Sequence, residues 1–254
     1  MVVGVQTAAG LMWTRWDGRQ LVRAAFATAL TLGLAWLVTA ATDEGGVSWG
    51  ERAGRSLPLT PLCATVGAWV AMAPALSRGE ALALEALGRS RAQIAAAAVM
   101  GGAVVAFAAS VALGLLPAVD VAGFFPTAAH ASAWTWNGAA FIDRLHGLRV
   151  AADGAPVQIA ADAGRVFAGV PKHGRAAAAA VTALAGLALP LLLAHTLLER
   201  ARVFAVVLAA GAAVAATVLL FQVAAAGHLP AAFGALPAVM LLAFAVRRYR
   251  GAHG

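Results

Sequence analysis

The side chains able to do chemistry are few in this chain, and their spacing points to capping and docking rather than to catalysis. Ser77 and Glu80 stand three residues apart, as do Ser90 and Gln93. Serine followed three residues later by Glu or Gln is the capping-box signature, in which each side chain meets a free backbone N–H at a helix start. Between the two boxes runs Arg78-Gly79-Glu80-Ala81-Leu82-Ala83-Leu84-Glu85-Ala86-Leu87-Gly88-Arg89, with Gly88 placed to close a short helix in the left-handed conformation. The expectation is a capped, charged helix over 78–87 with an aqueous face.

Other reactive residues form no constellation. Ser110 and His195 are the types a serine hydrolase needs, but no Gly-x-Ser-x-Gly elbow surrounds Ser110. The phosphate loop Gly-x-x-x-x-Gly-Lys-Ser/Thr is missing and Lys172 is the only lysine, so the chain is expected to hydrolyse no nucleotide by itself. Cys63 is the sole cysteine, which leaves neither a disulfide framework nor a thiolate metal site. No catalytic residue, metal or cofactor is expected. His195 reads as a helix-packing or interfacial histidine, and Gln222 as interhelical glue.

The elements that position the charged helix are apolar. Hydrophobic residues make up 62% of the 254 and charged residues 11%, where a soluble domain carries about 25% charged. Six stretches, Ala24–Thr42, Leu57–Leu76, Ile94–Ala118, Ala176–Leu198, Val203–Ala226 and Leu229–Val246, approach the roughly 20 apolar residues that a bilayer span needs. The fold class expected is an all-α integral membrane protein with six spans in a 3+3 arrangement. Residues 1–118 hold spans one to three and the charged helix, 119–175 a small extracytoplasmic segment, and 176–254 spans four to six with a basic tail. Arg15, Arg19, Asp17 and Arg23 precede the first apolar run, which is span-length and lacks a cleavage pattern, so it reads as a retained span.

Eleven of the eighteen basic residues fall on one side of this topology: Arg15, Arg19, Arg23, Arg78, Arg89, Arg91, Arg200, Arg202, Arg247, Arg248 and Arg250. Only Asp17, Glu80, Glu85 and Glu199 oppose them there. By the positive-inside rule both termini and the charged helix are expected in the cytoplasm. The net charge of +7 is mostly this orientation signal; no basic stripe interleaved with aromatics suggests nucleic acid.

The interruption Val119–Arg175 is too short for a large independent domain. Asp153-Gly154 between two apolar runs predicts a hairpin, with Pro156 confining the second strand to an edge or a late start. A small cap with at most that hairpin is expected, resting on the membrane through Trp134 and Trp136.

The run Leu57-Pro58-Leu59-Thr60-Pro61-Leu62 and the segment Leu76–Ser90 resemble the second span and coupling helix of the LptF/LptG permeases of lipopolysaccharide export. The Glu80…Gly88-Arg89-Ser90 spacing is the most specific part. Leu229-Pro230-Ala231-Ala232-Phe233-Gly234-Ala235-Leu236-Pro237 is similar to that family's last span, and Lys172-His173-Gly174-Arg175 to its basic entry into the second half. The resemblance covers about residues 55–118 and 172–250. It implies an ABC-exporter permease, with a cytoplasmic ABC ATPase held through Glu80, Leu84, Leu87, Arg89 and Arg91. It further implies a second six-span permease chain, a lipid or lipopolysaccharide-like substrate and a periplasmic bridge protein. The family's large periplasmic jellyroll has no counterpart of its size in Val119–Arg175. Arg52 and Arg55, at the outer entry to the second span, are candidate lipid head-group contacts. Two other readings stay open: a permease of a different exporter, and a non-transporting assembly or regulatory subunit whose helix docks another protein.

Overall fold

A computed structural model of the chain describes residues 13–42, 48–125, 134–136, 138–143, 148–151, 153–154, 156–158, 170–199 and 203–251. The helices are α1 (Arg15–Thr42), α2 (Trp49–Ser56), α3 (Thr60–Ser77), α4 (Glu80–Ala86), α5 (Arg91–Leu115), α6 (Gly174–Glu199), α7 (Val203–Ala225) and α8 (Leu236–Gly251). Among the described residues six stretches are long and apolar enough to cross a bilayer: α1, α2 running into α3, α5, α6, α7, and Ala231–Arg248. The protein is an all-α, multi-pass membrane protein.

Its boundaries refine the sequence reading. α1 begins nine residues before the apolar run, because Thr14 and Asp17 cap it reciprocally: Thr14 Oγ1 accepts from the Asp17 backbone N–H at 3.4 Å, and the Thr14 backbone N–H and hydroxyl both donate to Asp17 Oδ2, at 2.9 and 2.8 Å. The second span is preceded by α2, opened by a capping box between Ser48 and Glu51. Pro58 then forces a 3-10 turn, Leu57–Leu59, before α3. The last span opens in a 3-10 turn, Ala231–Ala235, and becomes α-helical only at Leu236. Pro230 precedes that turn with extended backbone, which a proline favours and a helix does not.

α5 and α6 pack against each other at the centre; α1 and α3 lie on one flank, α8 on the other, and α7 is attached mainly to α8 and the turn before it. The core is built largely from alanine. Ala24, Ala71, Ala95, Ala98 and Ala194 are fully buried in one cluster with Met72 and Val99. Small residues let helices approach where apolar lipid offers no hydrophobic drive to associate. Ala24 sits where α1 meets α3 and α5: a Cβ on Gly67 would strike the Ala24 carbonyl and Thr28 hydroxyl, and one on Gly101 the Leu21 carbonyl and Ala24 Cβ. Gly101→Val should therefore lower stability by about 1–3 kcal/mol, the usual cost of overpacking. Gly33→Val, where an added Cβ meets nothing, is the control. Thermal midpoints in detergent check this: a drop for Gly101→Val alone is expected.

The insert differs from expectation. The Asp153-Gly154 hairpin is present, with Gly154 at φ +79° and Pro156 as first residue of an edge strand. It is half of a four-stranded antiparallel meander: β1 (Trp134–Trp136), β2 (Ala140–Asp143), β3 (Leu148–Ala151) and β4 (Pro156–Gln158), in chain order. Trp136 pairs with Phe141 across the strands, and their rings lie 4.8 Å apart. A cross-strand aromatic pair adds stability to so small a sheet, and Trp136 stays half exposed. Arg200 and Arg202 lie outside the described residues.

Where α5 ends, the chain crosses back over α2, and Arg175 gathers the carbonyls left without helical partners. Its guanidinium donates to the carbonyls of Leu113, Leu116, Pro117 and Val119 at 2.7–3.2 Å. The basic entry to the second half of the chain thus fastens α6 to the end of α5. Ser110 does the same lower down, donating to the Ala179 carbonyl at 2.7 Å, so its hydroxyl is a tie between spans. His195 is buried on α6, as expected of a packing histidine. Gln222 is exposed on α7 and so is not glue within this chain; that helix is hardly covered on any side.

Candidate connector site and lateral groove

The expected capping box at Ser77 and Glu80 does not form. α3 continues through Ser77, whose hydroxyl stays on its own helix and donates to the Pro74 carbonyl at 3.0 Å. The turn is made instead by Gly79, at φ +73°, which is the N-cap of α4 without any side-chain bond. That conformation suits glycine alone at little cost. The helix is consequently shorter than anticipated, Glu80–Ala86. It ends as expected: Gly88 has φ +86°, its N–H reaches the Glu85 carbonyl and the Arg89 N–H the Leu84 carbonyl, the Schellman arrangement. The second box forms in full, Ser90 with Gln93 opening α5.

Freed from capping, Glu80 turns to α1. Its Oε2 accepts from the Trp16 indole N–H at 2.9 Å, while Oε1 lies 3.8 Å from the exposed guanidinium of Arg78. Arg89 also reaches α1, donating to Asp17 Oδ1 at 2.8 Å with its charge 5.7 Å from the Trp16 ring centre. Asp17 is buried, so this is an ion pair largely shielded from water. Arg91 donates to Glu85 at 3.0 Å across the connector itself. The connector is therefore clamped at both ends to the start of α1. Ala81 faces the bundle, whereas Leu82 and Leu87 are 70% and 80% exposed and Leu84 is half-buried.

Of the five residues expected to meet a partner, Leu87 offers a bare apolar surface. Glu80, Arg89 and Arg91 are held by Trp16, Asp17 and Glu85. Leu82, not anticipated, joins Leu87 as an exposed apolar side chain; its signal was only that it lies on a helix too short to bury all its leucines. Two buried polar atoms in this region lack partners among the described residues, Gln20 Oε1 and Arg89 Nη1.

A second feature opens sideways between α3 and α7, with α6 as its floor. One part, about 590 Å³, is lined by Leu62, Thr65, Leu192, Thr196, Val206 and Gly211 among others. The other, about 390 Å³, runs past Pro58, Leu59, Val181, Thr217 and Phe221. Leu62, Leu189 and Val214 border both, so the two form one groove. Val203 to Phe221 along α7 is a rise of about 27 Å, close to the roughly 30 Å thickness of a hydrocarbon core. The walls are almost wholly apolar and carry no charge, which suits acyl chains and excludes a hydrated ion. Arg52 and Arg55 lie on α2, just before the end of the groove at Pro58. No group of three or more metal-binding side chains occurs among the described residues. No protein-family model, curated protein or solved structure matches this chain.

Proposed function

We propose that the chain is the permease subunit of an ABC-type exporter that moves a lipid or lipopolysaccharide-like amphiphile out of the inner membrane. The observation that carries this is the connector. Seven helical residues are set between two spans, fastened to α1 and α5, with Leu82 and Leu87 turned outward. Exposed leucines on a water-facing helix fit docking on an apolar cleft of a partner, here a cytoplasmic ABC ATPase, with Glu80 offering a carboxylate to a basic residue. Because the connector is tied to α1 through Asp17–Arg89 and Trp16–Glu80, a push on it moves the spans rather than bending a loop. The α3–α7 groove supplies half of an acyl-chain path, Arg52 and Arg55 receive the head group at its outer end, and a second six-span chain closes it.

Affinity purification from bacterial membranes in mild detergent tests the reading. An ABC ATPase and a second six-span chain are expected to co-purify at comparable amounts. Recovery of a soluble protein without nucleotide-binding motifs, on the same connector, would replace it with the regulatory-subunit reading.

A further inference from the structure

We infer that the cytoplasmic half of α1 is a binding face for an anionic phospholipid of the inner leaflet. This goes beyond the transport reading and does not depend on it. Arg15, Arg19 and Arg23 recur every fourth residue and are all exposed, so they stand in one row on α1. The same row continues as Phe26, Leu30, Leu34 and Leu37, also exposed, Phe26 by 68%. One helix face thus changes from cationic to apolar between Arg23 and Phe26.

The change falls at the right depth. Ala24 to Thr42 rises about 27 Å, nearly the roughly 30 Å of a bilayer's hydrocarbon, so Arg23 lies at its edge. Arg19 stands about 6 Å further out, within the head-group layer, and Arg15 beyond it. Three of the four acids of this side are engaged elsewhere: Asp17 is buried against Arg89, Glu80 meets Trp16 and Arg78, and Glu85 meets Arg91. None of the three arginines has an acidic partner among the described residues. Guanidinium groups match phosphate with paired donors, and the apolar row below gives the acyl chains a surface at the depth they occupy. A phosphate-bearing lipid with net negative charge satisfies both parts at once. A soluble anion would use only the arginines, and an acidic protein segment would leave the apolar row uncovered.

The protein is placed in nanodiscs of equimolar phosphatidylglycerol and phosphatidylcholine, and the lipids that stay bound are measured by native mass spectrometry. Phosphatidylglycerol should be enriched, by roughly fivefold for each arginine engaged. Arg19→Gln with Arg23→Gln should return the ratio to that of the disc. Arg247→Gln with Arg248→Gln removes the same charge from exposed positions on α8 and should leave the enrichment intact. Millimolar inorganic phosphate should not abolish it. The inference fails if wild type shows no enrichment, if the α8 pair reduces it as much as the α1 pair, or if phosphate displaces the lipid. Size-exclusion profiles confirm that each variant is folded.

Discussion

Arg89→Ala is expected to destabilise the protein by about 3 kcal/mol, near the low end for breaking a buried ion pair because Arg89 itself keeps some exposure. The substitution leaves the Asp17 carboxylate buried with only the two donors of Thr14. The cost comes mainly from that stranded charge, so removing the charge as well should recover part of it. Asp17→Asn combined with Arg89→Ala is therefore expected to be more stable than Arg89→Ala alone. Thermal midpoints in detergent, together with protease cleavage within 78–90, measure both effects. The clamp assignment predicts that cleavage rises in Arg89→Ala before the spans unfold. Equal midpoints for Arg89→Ala and wild type would mean the pair holds nothing.

That clamp was not legible in the sequence, and the reason is separation. Asp17 and Arg89 lie 72 residues apart, and Trp16 and Glu80 lie 64 apart. Read locally, Asp17 is an acid in a basic tail, Arg89 is an orientation charge, and Glu80 is a capping residue. Only the packing of α1 between α3 and α5, set by Ala24 and the glycines facing it, brings the partners together. The spans were legible because length and hydropathy are summed over some twenty residues and tolerate local ambiguity. Ser90–Gln93 and Gly88 were legible because their geometry is complete within a few residues. Ser77–Glu80 has the same pattern and failed, since Gly79 takes the turn and leaves Ser77 inside α3. The meander was only half legible: Asp-Gly announces one hairpin, whereas the strands at Trp134–Trp136 and Ala140–Asp143 are too short for their alternation to stand out. The groove has no sequence signature, because its wall residues are the same Leu, Val and Ala that face lipid elsewhere.

On the proposed function, Glu80→Gln is expected to weaken ATPase association by about tenfold or more. A hydrogen bond to a charged group contributes about 1.5–3 kcal/mol, and each 1.4 kcal/mol is a factor of ten in affinity. Because Gly79 rather than Glu80 caps α4, the substitution leaves the helix start untouched. Glutamine can still accept from the Trp16 indole through its amide oxygen, so the protein should accumulate in the membrane normally. Trp16→Phe makes the converse change: it removes the internal competitor and leaves the carboxylate charged, so association should hold or strengthen. Loss of association in Trp16→Phe, with Glu80→Gln unchanged, would assign the pair to positioning of α1 alone.

The most direct test of the connector as an ATPase dock is a charge exchange at position 80. Glu80→Arg should abolish co-purification of the ATPase and the transport that depends on it, while the protein still inserts. Changing the ATPase's facing basic residue to glutamate should restore both in the presence of Glu80→Arg and should impair the wild-type pair. If instead Glu80→Arg retains the ATPase at the wild-type level, the partner does not read this carboxylate and the connector is not its dock.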